Sequence, residues 1–122
     1  MERGETTAQV VLAVPVLLLF LLFGIQVSLY FHTAQIASIA AQEAAIAGAV
    51  AGSNEIEALA VAVRSVAELH ASEGKTPIVR MGERTIEVEV LLRVPTVISL
   101  FPAFVTRSAS EPLERYAYEV ER

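Results

Sequence analysis

A charge-free run from Thr6 to Gln42 constrains the fold of this chain more than any other feature. Its core reads VVLAVPVLLLFLLFGIQVSLYF and spans Val10–Phe31. That is about 22 residues, and roughly 20 are enough to cross a hydrocarbon core as a helix. The apolar region of a cleaved secretory signal is shorter, about 7–15 residues, and follows a positively charged start. The run therefore predicts a membrane anchor, either uncleaved or cleaved only at a short leader.

The charges on either side of the apolar run predict its orientation. Arg3 is the only Lys or Arg on the N-terminal side, and the next one, Arg64, lies far beyond the other end. Since orientation follows the Lys and Arg residues close to each end, the N-terminus is predicted to be cytoplasmic. Tyr30 and Phe31 would then lie at the outer interface, where amphipathic rings are enriched. The predicted location is the cytoplasmic membrane, crossed once, with the C-terminal part outside the cytoplasm.

The remainder of the chain is long enough for one small domain. Nothing between Phe31 and Val50 breaks a helix, so the membrane helix is predicted to continue outward until Gly52. The predicted segments are a leader or cytoplasmic segment at 1–9, a transmembrane helix at 10–31, a helical extension at 32–52 and an extracytoplasmic α+β domain at 53–122. The charged end of that domain could be disordered.

Residues 53–122 carry the signals of a second helix. Asn54 and Glu57 resemble a capping box, and the helix is predicted to run to about His70. Its predicted inward face consists of Ile56, Leu59, Ala60, Val63, Val66 and Ala67.

A small antiparallel sheet is predicted to follow the second helix. Two strands, Thr76–Met81 and Thr85–Val94, flank Gly82-Glu83, and a third can lie within 106–113. Val97–Val105 is apolar but contains a proline, which predicts a turn with a short packing segment. Alternation in the second strand places one set of residues on a buried face: Ile86, Val88, Val90, Leu92 and Val94. The predicted fold class is α+β, membrane-anchored, with a two- or three-stranded sheet.

Four residues of the long helix are candidates for contacts with other helices. Gly24 and Ser28 form a small-xxx-small pair, on which a second helix can approach closely. Gln26 is strongly polar within the apolar core, and either bonds internally or donates to another helix. Glu43 either reaches solvent or forms a paired carboxylate at a helix contact. It lies within a predicted apolar stripe: Ile36, Ile39, Glu43, Ile46 and Val50.

Composition argues against several classes of function. The net charge of −5 provides no basic stripe for phosphates, so nucleic acid is not an expected partner. The chain has no cysteine and only two histidines, and no nucleophile–base pair, phosphate loop or metal-ligand cluster can be assembled from it. We therefore expect no enzyme activity, no cofactor and no metal site.

The N-terminal half resembles a known family. The stretch RGETTAQVVLAVPVLLLFLLFGIQVSLYFHTAQIASIAAQEAAIAGAV looks like the start of TadE-like proteins, which are small pilin-related subunits of tight-adherence pilus systems. The elements that carry the resemblance are the Arg3-Gly4 leader, the early Val14-Pro15 and an Ala-rich continuation containing Gln-Glu-Ala-Ala. The resemblance covers about residues 3 to 50.

The resemblance implies a processed envelope protein. A prepilin peptidase would cut after Gly4 and leave Glu5 as the new N-terminus, and the helix would then pack among other pilin helices. The family usually carries a glutamate at the fifth mature position, where this chain has Gln9. A neutral amide can bond a neighbouring ammonium group but cannot cancel its charge in hydrocarbon.

These observations predict a structural role. The expected function is that of a TadE-like minor pilin or pseudopilin in pilus assembly, whose partners are membrane lipid, other pilus subunits and, transiently, the peptidase. The packing residues would be Gln9, Gly24, Gln26, Ser28 and Glu43. The alternative is a signal-anchored envelope protein that binds another partner and never enters a pilus. A third possibility, a small envelope enzyme, would show a pocket lined by Glu43 and His70.

Overall fold

The computed structural model describes residues 2–50, 52–69 and 71–114. Two helices are followed by four strands: α1 (Glu2–Ala49), α2 (Glu55–Glu68), β1 (Ser72–Glu73), β2 (Ile78–Met81), β3 (Thr85–Arg93) and β4 (Phe104–Pro112). The predicted class is confirmed, because a long apolar helix and a second helix precede a small antiparallel sheet. His70 and the charged tail after residue 114 lie outside the described residues.

Helix α1 is one continuous element of 48 residues, with Pro15 inside it. At about 1.5 Å per residue its length is about 72 Å. The prediction that the apolar helix continues into the alanine-rich segment is confirmed, since the helix ends only at Ala49. Gly52 follows with a φ of 88°, a left-handed conformation that favours glycine.

Helix α2 begins with the predicted cap. The side-chain oxygen of Asn54 accepts a hydrogen bond from the backbone N–H of Glu57 at 2.9 Å. The predicted inward face, however, is wrong in most of its members. Ile56 is 76% exposed and Val63 is also exposed, whereas the buried residues are Ala58, Ala62, Ser65 and Val66. Because small side chains let two helix backbones approach closely, α2 packs on α1 through alanines and turns its larger residues outward.

The sheet is built around β3. Strand β4 pairs with β3 along its whole length, from Thr85↔Pro112 to Arg93↔Phe104, while β2 and the two-residue β1 share the opposite edge. All pairings are antiparallel. The predicted buried face of this strand is confirmed, because its five residues are at most 1% exposed: Ile86, Val88, Val90, Leu92 and Val94.

The alanine-rich half of α1 forms the other side of the core. The residues that cover the sheet and α2 are fully buried: Ala37, Ala40, Ala41, Ala44 and Ala45. The apolar stripe is not the core face, since Ile36 is buried but Ile39, Ile46 and Val50 are exposed. The physical reason is steric, because only the small face of α1 fits against the buried strand and α2.

The sheet runs back along α1 toward its apolar half. A Cβ on Gly48 would collide with Ile86, near the start of β3. At the other end, the segment after β3 bonds to Gln26 through Pro95. The 22 residues between Gly48 and Gln26 span about 33 Å of helix, which is also the length of about ten residues of strand. The connection between β3 and β4 thus lies beside the apolar half of α1.

Candidate functional site

The N-terminal half of α1 projects beyond the domain. Every side chain described from Arg3 to Ile25 is exposed. Only 6% of the most apolar 18-residue window is buried, so this half of the helix is unlike the core helix of a soluble domain. By length and composition it can cross a membrane, and it is the candidate membrane anchor.

Gln26 joins the anchor to the domain. Its side chain is 0% exposed, although it lies within the apolar run. Nε2 donates to the carbonyl oxygen of Pro95 at 3.2 Å. Oε1 accepts from the backbone N–H of Val97 at 2.6 Å and of Ile98 at 3.2 Å. Of the two interpretations left open by the sequence, this geometry favours internal bonding, because both polar ends of the amide are occupied within the chain.

An aromatic contact accompanies the Gln26 bonds. The rings of Phe23 and Phe101 lie edge to face, with their centroids 5.3 Å apart at 61°. Aromatic pairs prefer this arrangement over a stacked sandwich. Together with Gln26, the contact fixes the connection between β3 and β4, residues 94–103, against α1. We call this connection the docking loop.

Gly24 and Ser28 lie on the other side of the helix. Each is two residues from Gln26, which is a rotation of about 200°. Both are exposed, and no described atom lies within 4 Å of a Cβ built on Gly24. Both residues line an open groove on the surface of the helix. The small pair therefore faces away from its own domain and is accessible to another helix.

The same side of α1 stays exposed along the alanine-rich half. Residues that continue the row at helical spacing are Gln35, Ile39, Gln42 and Ile46, and all four are exposed. We define the free face of α1 as Gly24, Ser28, Gln35, Ile39, Gln42 and Ile46. It runs opposite the alanines of the core for about 33 Å of helix.

Glu43 takes part in a contact between the two helices of the domain. Its Oε2 accepts a hydrogen bond from the hydroxyl of Ser65 at 2.5 Å. Ser65 is buried on α2, whereas the glutamate side chain is itself exposed. The carboxylate is exposed and also accepts a hydrogen bond at a helix contact, and that contact is internal to this chain.

The predicted processing residues lie at the far end of α1. Gly4, Glu5 and Gln9 are exposed in its first turns. About 58 Å of helix separates Gly4 from Glu43, so the predicted site residues are spread along one rod and do not converge. The pocket predicted for an enzyme depends on His70, which is outside the described residues.

Charged side chains of the sheet form a solvated surface. Arg80 lies 3.4 Å from Glu87 and 3.8 Å from Glu89, and all three side chains are at least partly exposed. The cation between the two carboxylates therefore comes from β2. Exposed pairs of this kind contribute little to stability.

Sequence reasoning missed the role of the docking loop. The segment was predicted only as a turn with a packing element, and its backbone partners on Gln26 were not foreseen. One signal was present: residues 94–106 carry no charge and are flanked by Arg93 and Arg107. A second charge-free run, too short to span a bilayer, would have marked this loop as the place where the domain meets the anchor.

Comparison with known proteins finds a similarity for the N-terminal part of the chain. No curated protein and no solved structure matches the chain. A family model described as TadE-like protein matches residues 4–45, which lie entirely within α1. The matched residues contain the apolar anchor and most of the alanine-rich face. Over these residues the chain is similar to TadE-like proteins, which agrees with the resemblance seen in its sequence.

Proposed function

We propose that this protein is a single-pass, pilin-related subunit that acts structurally in the assembly of a tight-adherence pilus. The match to TadE-like proteins relates it to such pilus systems. In the proposed arrangement α1 crosses the cytoplasmic membrane with its N-terminus inside, and the domain stands outside. The partners are membrane lipid, other pilus subunits and, transiently, a prepilin peptidase. No enzyme activity is proposed.

The observation that carries the proposal is the two-sided use of α1. Its alanine side is covered by its own domain, while the free face is exposed from Gly24 to Ile46. Within a bilayer, small residues favour helix association because they allow close packing. Outside it, exposed aliphatic side chains such as Ile39 gain from being covered by a partner. One face thus supplies suitable contacts in both environments.

A second candidate function has one observation in its favour. Gln9 stands where the family usually has a carboxylate, and it is exposed on α1. A chain that cannot neutralise a neighbouring terminal amine is less suited to a helical filament. The alternative is therefore an anchored envelope protein that recruits another partner without entering a pilus.

Photo-crosslinking in a strain that assembles the pilus tests the proposal. A benzophenone side chain is introduced at Ser28 or at Ile46 on the free face, and at Ser110 on the exposed side of β4 as the control. We expect adducts with other pilin-like subunits from the first two positions and far fewer from the control. Adducts only with unrelated envelope proteins support the alternative. Equal yields from all three positions, or no adducts, contradict a role for the free face.

A further inference from the structure

The docking loop lies beside the apolar half of α1. It contacts α1 at Phe23 and Gln26, inside the predicted span Val10–Phe31. We propose that the docking loop inserts into the outer interface of the membrane and contacts lipid acyl chains. Two elements, α1 and the docking loop, then attach the protein to the membrane. This inference rests on the proposed anchoring of α1.

The position of the loop moves the outer boundary of the hydrocarbon core. A protein loop beside Gln26 is incompatible with a fully lipid-exposed helix up to Phe31. The charge-free run begins at Thr6, and Thr6–Ile25 is about 30 Å long, which matches the thickness of the core. The interface then contains the loop together with Tyr30 and Phe31, where aromatic residues are favoured.

The composition and exposure of the loop fit this layer. Between Arg93 and Arg107 the chain has no charged residue. Leu100, at the tip, is 90% exposed, and Val97 is 51% exposed. These side chains contribute little to the core of the domain, yet they are the residues that an interfacial segment buries among acyl chains.

Four of the eight backbone N–H groups of the loop donate to acceptors within the described part of the chain. Gln26 accepts from Val97 and Ile98, and the N–H of Phe101 donates to the carbonyl of Ile98 at 3.3 Å. Val94 donates to the carbonyl of Ala103 at 2.7 Å, and the two prolines of the loop have no N–H. Irregular backbone near hydrocarbon requires such partners. Gln26 therefore supplies the partner for two of these N–H groups, at the point where the loop lies against α1.

Two cations stand at the base of the loop. Arg93 ends β3 with its guanidinium 5.7 Å from the centroid of the Phe104 ring, and Arg107 follows in β4, opposite Val90. Basic side chains beside a membrane surface attract anionic headgroups. Although the whole chain has a net charge of −5, the end of the sheet nearest the anchor carries these arginines. Their placement favours an anionic lipid surface over a protein partner.

Depth-dependent fluorescence quenching tests the inference. The chain has no cysteine, so an environment-sensitive dye can be placed on L100C alone, with V97C as an independent second site. L17C near the middle of the anchor and S110C on the outer side of the sheet serve as references. The full-length protein is reconstituted at high dilution into phosphatidylethanolamine–phosphatidylglycerol vesicles. Some of the lipids carry a nitroxide, either near the headgroup or near the end of an acyl chain.

We expect lipid nitroxides to quench the dye on L100C several-fold more than the dye on S110C. The quenching of L100C should be strongest with nitroxides near the headgroup. The dye on L17C should be quenched most by nitroxides near the end of the acyl chain, and the dye on S110C by aqueous iodide. If lipid nitroxides do not quench the dye on L17C, the proposed membrane anchoring of α1 is wrong. If lipid quenches the dye on L17C but iodide quenches the dye on L100C as strongly as the dye on S110C, then α1 is anchored and only the insertion of the docking loop is wrong. If neither lipid nitroxides nor iodide quench the dye on L100C, protein covers the docking loop, and the inference is also overturned.

Discussion

Replacing Gln26 with leucine should release the docking loop from α1. The substitution removes one donor and one acceptor while keeping an apolar side chain of similar length. Three backbone groups then lose their partner: the N–H groups of Val97 and Ile98 and the carbonyl of Pro95. Because leucine is more apolar than glutamine, membrane insertion of α1 should not suffer.

The expected cost follows from these lost bonds. A buried polar group without a partner costs about 1–3 kcal/mol. An unpaired carbonyl is tolerated better than an unpaired N–H, so the amides of Val97 and Ile98 dominate the estimate. We expect the docked state of the loop to lose about 2–4 kcal/mol. Since about 1.4 kcal/mol is a factor of ten, opening of the loop should become roughly 30- to 700-fold more frequent.

Amide hydrogen exchange measured by mass spectrometry is the appropriate assay, because it reports local opening. In Gln26→Leu, a peptide that covers residues 94–103 should lose protection, while peptides from α2 and the centre of β3 should not. Gln35→Leu is the matched control, since Gln35 lies on the exposed side of the same helix. Loop amides that exchange as slowly in Gln26→Leu as in the parent chain would refute the reasoning. Equal loss of protection in both variants would also refute it.

Two further predictions concern the ends of α1. Gly48→Ala should lower the free energy of unfolding by about 1–3 kcal/mol, because the new methyl group would lie 2.9 Å from the Cβ of Ala58 and would also collide with Ile86. Chemical denaturation checks this, and Gly24→Ala, whose Cβ has open space, should not destabilise the domain. In a strain with an active prepilin peptidase, mass spectrometry of the purified protein should find the chain cut after Gly4, whereas an intact leader would contradict pilin-like processing.

Local patterns were enough to predict both helices and the strands β2, β3 and β4, although not the two-residue β1. The alternation in β3 identified its buried residues, because every second side chain of a strand points to the same face. Asn54 was recognised as a cap, since its side chain can reach an N–H one turn away. The length of the apolar run indicated a candidate anchor. Each of these properties depends on neighbours in sequence and needs no knowledge of the rest of the chain.

Local patterns failed where two apolar faces competed. On α1 the isoleucine stripe is the more hydrophobic side, but the alanines occupy the core. The same exchange occurred on α2, where Ile56 is exposed and Ala58 is buried. By hydrophobicity alone, the larger isoleucines would be expected to face the core. Where two backbones pack closely, only the smaller alanines fit there. The amount of space between elements is a property of the assembled fold.

The sequence by itself determined that this protein has an apolar N-terminal helix, a segment similar to TadE-like proteins and a half-buried strand pair. Only the tertiary structure decided which side of α1 its own domain covers and which side it leaves to others. It also decided the role of Gln26, whose three bonding partners lie about 70 residues further along the chain. The reason is physical: a side chain reveals what it can bond or bury, but the fold determines which groups come within its reach.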